Sequence, residues 1–267
     1  MSKPLWLKAS PLFFIGLMAS SALAHSPYLR PNHFTPDKAR KHVTVEASFA
    51  EGQIRPDVAM KSDAFNLTAP DGATTPLTPA AILKDAVLLE PALPVEGTYR
   101  ISSGVRTGRV AKATIKDGKV VFGEGPASAP KAGDKVVDVQ SLTRADVYVT
   151  KGAPTTGAYA KPQTGVAIQP VTAPNDAYAN EPFSFAVLNS GKPVASEDIE
   201  IVRDGEIYEA KKAAPLHLKT GADGTARFTP SKTGVYLIQV RVRSQSPDRA
   251  DLWLSETATL TLEVLPQ

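Results

Sequence analysis

The stretch LHLKTGADGTARFTPSKTGVYLIQVRV, residues 216–242, contains three strand-length runs divided by two turn signals. Asp223-Gly224 separates the first from the second, and Pro230 to Gly234 separates the second from the third. Asp-Gly pairs and Pro/Ser/Gly clusters punctuate a chain because they accept or preset turn dihedrals. In the third run the apolar pattern of Tyr236-Leu237-Ile238-Gln239-Val240 marks a core strand. On the N-terminal side lie GVAIQPV (165–171) and EPFSFAVLNSGKPVASEDIEIVRDGE (181–206), the latter two strands around Asn-Ser-Gly-Lys-Pro. On the C-terminal side lies LWLSETATLTLEVL (252–265), where Trp253 is expected to be packing. Some seven short strands in about 100 residues, with a turn every 8–12, is the pattern of an immunoglobulin-like sandwich.

The upstream half reads as strands too. HVTVEASF (42–49) alternates apolar and polar residues, as a half-buried strand does. AFNLTAPDGATTPLTP (64–79) has the form strand, Pro-Asp-Gly turn, strand; AAILKDAVLLE (80–90) suits a helical turn or a strand. GTYRISSGV (97–105) precedes a hairpin in RVAKATIKDGKVVFG (109–123), whose Asp117-Gly118 fits a type I′ turn. GEGPASAPKAGDK (123–135) is a loop or hinge, VVDVQSLTRADVYVTKG (136–152) resumes strand character, and APTTGAYAKPQTG (153–165) breaks it. A domain boundary is placed near residue 165. A cut at 124–134 would assign the 136–151 strand to the second unit, but that strand is expected to complete the first sheet. The expected fold is all-β, with two immunoglobulin-like β-sandwich domains, 25–165 and 166–267.

Residues 1–24 read as a cleavable signal peptide. Lys3 and Lys8 are basic, residues 12–24 are an apolar run, and Ala22-Leu23-Ala24 presents small residues to a peptidase. The run is shorter than the roughly 18 residues that span a bilayer, and no second apolar span follows. The expectation is a soluble periplasmic protein beginning at His25; removing 24 of 267 residues leaves 243. The formal charge is +3, and basic residues are scattered, which argues against a nucleic-acid groove. There are no cysteines, so disulfides, thiolate metal sites and cysteine nucleophiles are excluded. Twenty-three prolines and 18 glycines imply frequent turns and few long helices.

GKPVASEDIEIVRDGE followed by TGADGTARFTPSKTGVYLIQV resembles the repeat of periplasmic nickel/cobalt-uptake components, the NikM/CbiK-like proteins long catalogued as a domain of unknown function. The expected mature start resembles that family as well: a histidine, a short aromatic-containing stretch, then a strand such as HVTVEASF. The resemblance implies an all-β periplasmic protein associated with transition-metal uptake.

A mature His25 would offer an α-amine and ring Nδ1 to one cation. The amine titrates near 8 in model compounds, and such nitrogen donors suit Cu(II), Ni(II) and Zn(II). Pro27 rules out the motif that uses a third-residue amide, because proline has no N–H. Further imidazole donors are sought in His33, His42 and, less favoured, His217; none shows HxH or HxxxH spacing. The candidate metal residues are thus His25, His33 and His42, for Ni, Co or Cu. Equally, a terminal histidine can simply be exposed.

Glu51, Asp57 and Asp63 lie close in sequence, with Asp57 and Asp63 read as turn or strand-end residues. Arg55-Pro56-Asp57 with Met60 could border a ligand pocket, though Met60 reads better as core. The Asp-Gly pairs lack the alternating donors of a calcium loop, and there is no nucleophile elbow, P-loop or dinucleotide fingerprint. The expected role is non-enzymatic: capture of a divalent ion for a membrane uptake system or outer-membrane receptor. The alternatives are a metal-free protein- or glycan-binding module, or a copper-brace enzyme needing a second histidine.

Overall fold

The computed structural model describes residues 25–51, 54–122, 133–209 and 214–267. The expected signal peptide, and most of the hinge expected at 123–135, fall outside them. No helix among the described residues is long and apolar enough to cross a membrane. Among the described residues, one helical turn, α1 (Gly157–Ala160), and one 3-10 turn (Glu206–Tyr208) interrupt an otherwise all-strand set of regular elements.

The described residues form nineteen strands in three sheets. The first holds β1 (Ser26–Pro31), β2 (Val45–Ala50), β3 (Val58–Ala59), β6 (Ala81–Ile82) and β7 (Val87–Leu89). The ambiguous 80–90 stretch therefore resolves as two strands, with Val87 and Leu89 buried on the same face. The second, ten-stranded sheet contains β4 (Asn66–Thr68), β5 (Thr74–Pro76), β8 (Gly97–Ser102), β9 (Arg106–Lys116), β10 (Lys119–Val121) and β11 (Lys135–Lys151). It continues through β15 (Asp198–Arg203), β16 (Leu216–Lys219), β18 (Gly234–Gln245) and β19 (Leu252–Val264). The third sheet has β12 (Val166–Pro170), β13 (Phe183–Asn189), β14 (Lys192–Pro193) and β17 (Thr225–Phe228). The β9–β10 hairpin turns as its sequence demands: Asp117 and Gly118 both have positive φ, 50° and 73°.

Alternation along the strands of the large sheet assigns its two faces to different partners. In β11, Ala145, Val147 and Val149 join the five-stranded sheet in one core, with Tyr99, Ile101, Leu89 and Met60. Tyr148 points the other way, into the core built with the four-stranded sheet from Phe183, Phe185, Phe228, Ile238, Leu260 and Leu262. These are two β-sandwiches that share a middle layer, one outer sheet on each face. Burying each of the phenylalanines contributes about 1.5–3 kcal/mol.

Hydrogen bonds join the two sandwiches at two places. β11 pairs antiparallel with β9 and β8 and, along its opposite edge, parallel with β19 from Asp138↔Leu252 to Val147↔Thr261. The 136–151 strand thus completes the first sandwich and is bonded directly to the second. β1 crosses the seam as well: the Thr259 hydroxyl donates to the Pro27 carbonyl at 2.7 Å, and Tyr28 packs on Leu237.

Candidate functional site

The histidine region is set by strand register. Ser26 opens β1 opposite Ala50, the last residue of β2, and Val58 opens β3 opposite Phe49. His25, Glu51 and Asp57 each sit one residue beyond those positions, so three strand ends bring them to one rim. Their potential ligand atoms lie within 4.8 Å of one another, and all three residues are exposed. His25 Nε2 and Asp57 Oδ2 are 2.5 Å apart. Beside them the Arg55 guanidinium bonds the Tyr208 hydroxyl and lies 5.0 Å from that ring's centroid.

The structure does not bring His33 or His42 to this rim. Five strand steps of about 3.3 Å carry β1 roughly 17 Å away from residue 26 before His33 is reached. Asn32 N–H donates to the Thr44 carbonyl, and His42 bridges to Ala92, so both histidines belong to the far end of β1. His217 is exposed on β16 opposite Glu200. Glu51 and Asp57, not the other imidazoles, are what His25 meets. The short spacing from Glu51 to Asp57 is the available signal, obscured because Asp57 reads as an ordinary turn or strand-end residue. Met60 and Trp253 do what packing residues do: Met60 is fully buried, and Trp253 packs against Ala113, Val120, Val137 and Val139.

A second site has no counterpart in the histidine pattern. Cross-strand register places Thr68 beside Arg100, Arg100 beside Tyr148, Asn66 beside Ser102, and Ser102 beside Asp146. Arg144 follows two residues before Asp146 on the same face of β11. This is the face that, on β19, becomes Ala258, Leu260 and Leu262 of the second core. Where the four-stranded sheet ends, the face turns polar, and the segment from α1 to Thr164 runs over it. α1 is held close to the β4–β5 turn, and Lys161 Nζ donates to the Gly72 carbonyl (3.2 Å) and the Thr74 hydroxyl (3.5 Å). Tyr159 meets Tyr148 edge-on, ring centroids 6.1 Å apart.

Between this polar face and its cover lies a cavity of about 480 Å³, with Arg100, Ser102 and Arg144 from the sheet and Lys161 and Gln163 from the cover. Arg100 and Arg144 are each only 6% exposed. Arg100 Nη2 donates to Thr68 Oγ1 at 3.0 Å, but its Nε and Nη1 have no partner; neither do Nε and Nη1 of Arg144. Behind them both carboxylate oxygens of Asp146, 1% exposed, and the Tyr148 hydroxyl are unpartnered as well. Burial pushes the Tyr148 phenol well above its usual range, with the Asp146 carboxylate adding to the shift. Buried polar groups are nearly always hydrogen-bonded, since leaving one unmade costs about 1–3 kcal/mol. Two arginines that line one cavity thus keep unpartnered guanidinium N–H groups, and the guanidinium fork is the donor geometry that matches a carboxylate or similar oxyanion.

Comparison with known proteins follows the fold. No curated protein matches this sequence. Among solved structures, the D0-D1 domain of Intimin is 13% identical over 88% of this chain and 97% of its own, with a TM-score of 0.22. A domain of a bacterial ice-binding adhesin is 12% identical over 91% of this chain and 66% of its own, at 0.25. The chicken CNTN1 FN1-FN3 domains are 9% identical over 91% and 100%, at 0.24. A family model covers residues 22–244, most of both sandwiches, and the chain belongs to the family described as Domain of unknown function (DUF4198).

Proposed function

We propose that this chain is an exported, non-enzymatic recognition module that binds an acidic group of a protein or glycan in the arginine-lined cavity. One observation carries this reading: Arg100 and Arg144, both nearly buried, line the same cavity, and each guanidinium keeps N–H donors that no protein group accepts. A fold does not keep such groups for stability, because desolvating them without partners is unfavourable. A ligand oxyanion would complete their hydrogen bonds. The reading needs no metal. Export rests on the signal-like residues 1–24.

Retention on immobilised acidic polysaccharide and on immobilised acidic peptide tests it. The protein should be retained by at least one matrix at low salt and released as ionic strength rises. Arg144→Met should abolish retention while leaving the circular dichroism spectrum unchanged. Equal retention of the variant, or none of the parent protein, would contradict the proposal.

The convergence of His25, Glu51 and Asp57 favours a second reading, capture of a divalent cation at the rim of the first sheet. One imidazole with two carboxylates suits Zn(II), Co(II) or Ni(II), and a freed His25 amine would add a second nitrogen. It matches the nickel/cobalt-uptake resemblance, with a ligand set different from the three histidines. Calorimetric titration of Ni(II), Co(II) and Cu(II) tests it, repeated with one residue added ahead of His25 and with Asp57→Asn. Affinity that survives both changes, or no binding by the parent protein, would remove this reading.

A further inference from the structure

The cavity also indicates which acid it takes. We propose that its ligand is a sugar acid, a polyhydroxylated ring bearing one carboxylate, seated with the carboxylate on Arg100 and Arg144. This rests on the acidic-group reading above and narrows it.

Charge bookkeeping comes first. The inner wall carries two guanidiniums with one buried carboxylate, Asp146, on the same strand face, leaving a formal excess of one positive charge. Lys161 and Asp63 also belong to the lining, and together they add no net charge. One excess charge matches a monoanion such as a carboxylate. A phosphate dianion would be left half-compensated beside the two nearly buried arginines. The guanidinium fork further favours a planar carboxylate, which it can meet with two parallel hydrogen bonds.

The rest of the lining is neutral and hydroxyl-rich. Asn66, Thr74, Thr75, Gln163 and Thr164 offer both donors and acceptors, the requirement for gripping a polyol whose hydroxyls do both. Pro76 and Pro162 supply small apolar surfaces of the kind a sugar ring's C–H face can cover. An aliphatic or aromatic acid would make none of the hydrogen bonds that a hydroxylated ring can exchange with Thr75, Gln163 and Thr164, and a site that bonds a ligand's hydroxyls favours it over analogues that lack them. The volume of about 480 Å³ lies within the range of small-molecule sites.

The test is titration calorimetry on the full chain with D-glucuronate, D-galacturonate, D-glucose, acetate, sulfate and N-acetylglutamate. At least one uronate should bind tightest, with acetate at least about tenfold weaker and glucose silent. Arg144→Met should weaken the uronate at least about tenfold. Gln163→Ala, at the rim and outside the sheet, should weaken the uronate and leave acetate unchanged; it serves even if the arginine variant misfolds. Sulfate, acetate or N-acetylglutamate binding as tightly as both uronates would overturn the sugar-acid assignment while leaving acidic recognition standing. If no anion binds, both fall. Uronate affinity unchanged in Arg144→Met and in Gln163→Ala would place the ligand elsewhere and overturn the assignment.

Discussion

Tyr148 shows how two environments meet in one residue. Its ring belongs to the second core, yet its hydroxyl is buried without a partner beside the arginine-lined cavity. Burial holds the phenol above its ordinary value of about 10, so the folded state keeps the proton more tightly than the unfolded chain. The stability tied to this group is fully present below pH ~10 and is lost as pH rises toward the folded-state value. Tyr148→Phe should therefore raise the pH midpoint of alkaline unfolding, followed by tryptophan fluorescence. At pH 7 it should change stability by less than about 1 kcal/mol, because no well-formed hydrogen bond reaches the hydroxyl and only the neighbouring Arg100 approaches it. Tyr28 contrasts with it: its hydroxyl donates to Glu46 Oε1 at 2.6 Å. Tyr28→Phe strips a charge-assisted bond and should cost about 1–3 kcal/mol in urea denaturation.

At the scale of elements, turns hold the strands and α1 holds the cavity's cover. Gly224 adopts φ +74°, and a Cβ there would lie 2.9 Å from the Val187 carbonyl oxygen and 3.0 Å from Val194 N. Gly224→Ala should cost about 1–3 kcal/mol by chemical denaturation, combining left-handed strain with displaced backbone. Gly157 is tight for a different reason: a Cβ would collide with the Pro70 carbonyl oxygen of the β4–β5 turn. Gly157→Ala should lift α1 from that turn, lower the melting temperature and weaken uronate binding, although no cavity-lining residue is changed.

Most of these elements are legible in the sequence, because strand alternation and Asp-Gly turns are local signals. Asp117-Gly118 prescribes its turn through φ alone. The site is less legible. Arg100, Ser102, Arg144 and Asp146 alternate with apolar neighbours exactly as residues of a solvent-facing strand face would, and only the 153–165 segment folding over them makes that face a cavity. Nothing local in APTTGAYAKPQTG announces what it covers. Likewise, His25 and Asp57 meet through the pairing of β1, β2 and β3, a long-range register with no sequence motif.

For the whole molecule, the shared ten-stranded layer is the main mechanical fact. β19 lies between β18 and β11, so each sandwich takes part of its sheet from the other half of the chain. Differential scanning calorimetry should show one cooperative transition for both sandwiches, and two resolved transitions would contradict a shared layer. A fragment ending at residue 165 should fail to fold, because β11 would lose its parallel neighbour and expose a long unpaired edge. The cavity depends on the same junction: its arginines stand on the first sandwich's strands, and the segment covering them leads into β12 of the second. The most direct test of this account is therefore an NMR titration that watches the Nε–H signals of Arg100 and Arg144 as galacturonate is added. Both signals should shift saturably, with the affinity that calorimetry reports for that ligand. Uronate binding that leaves both signals in place would contradict the account.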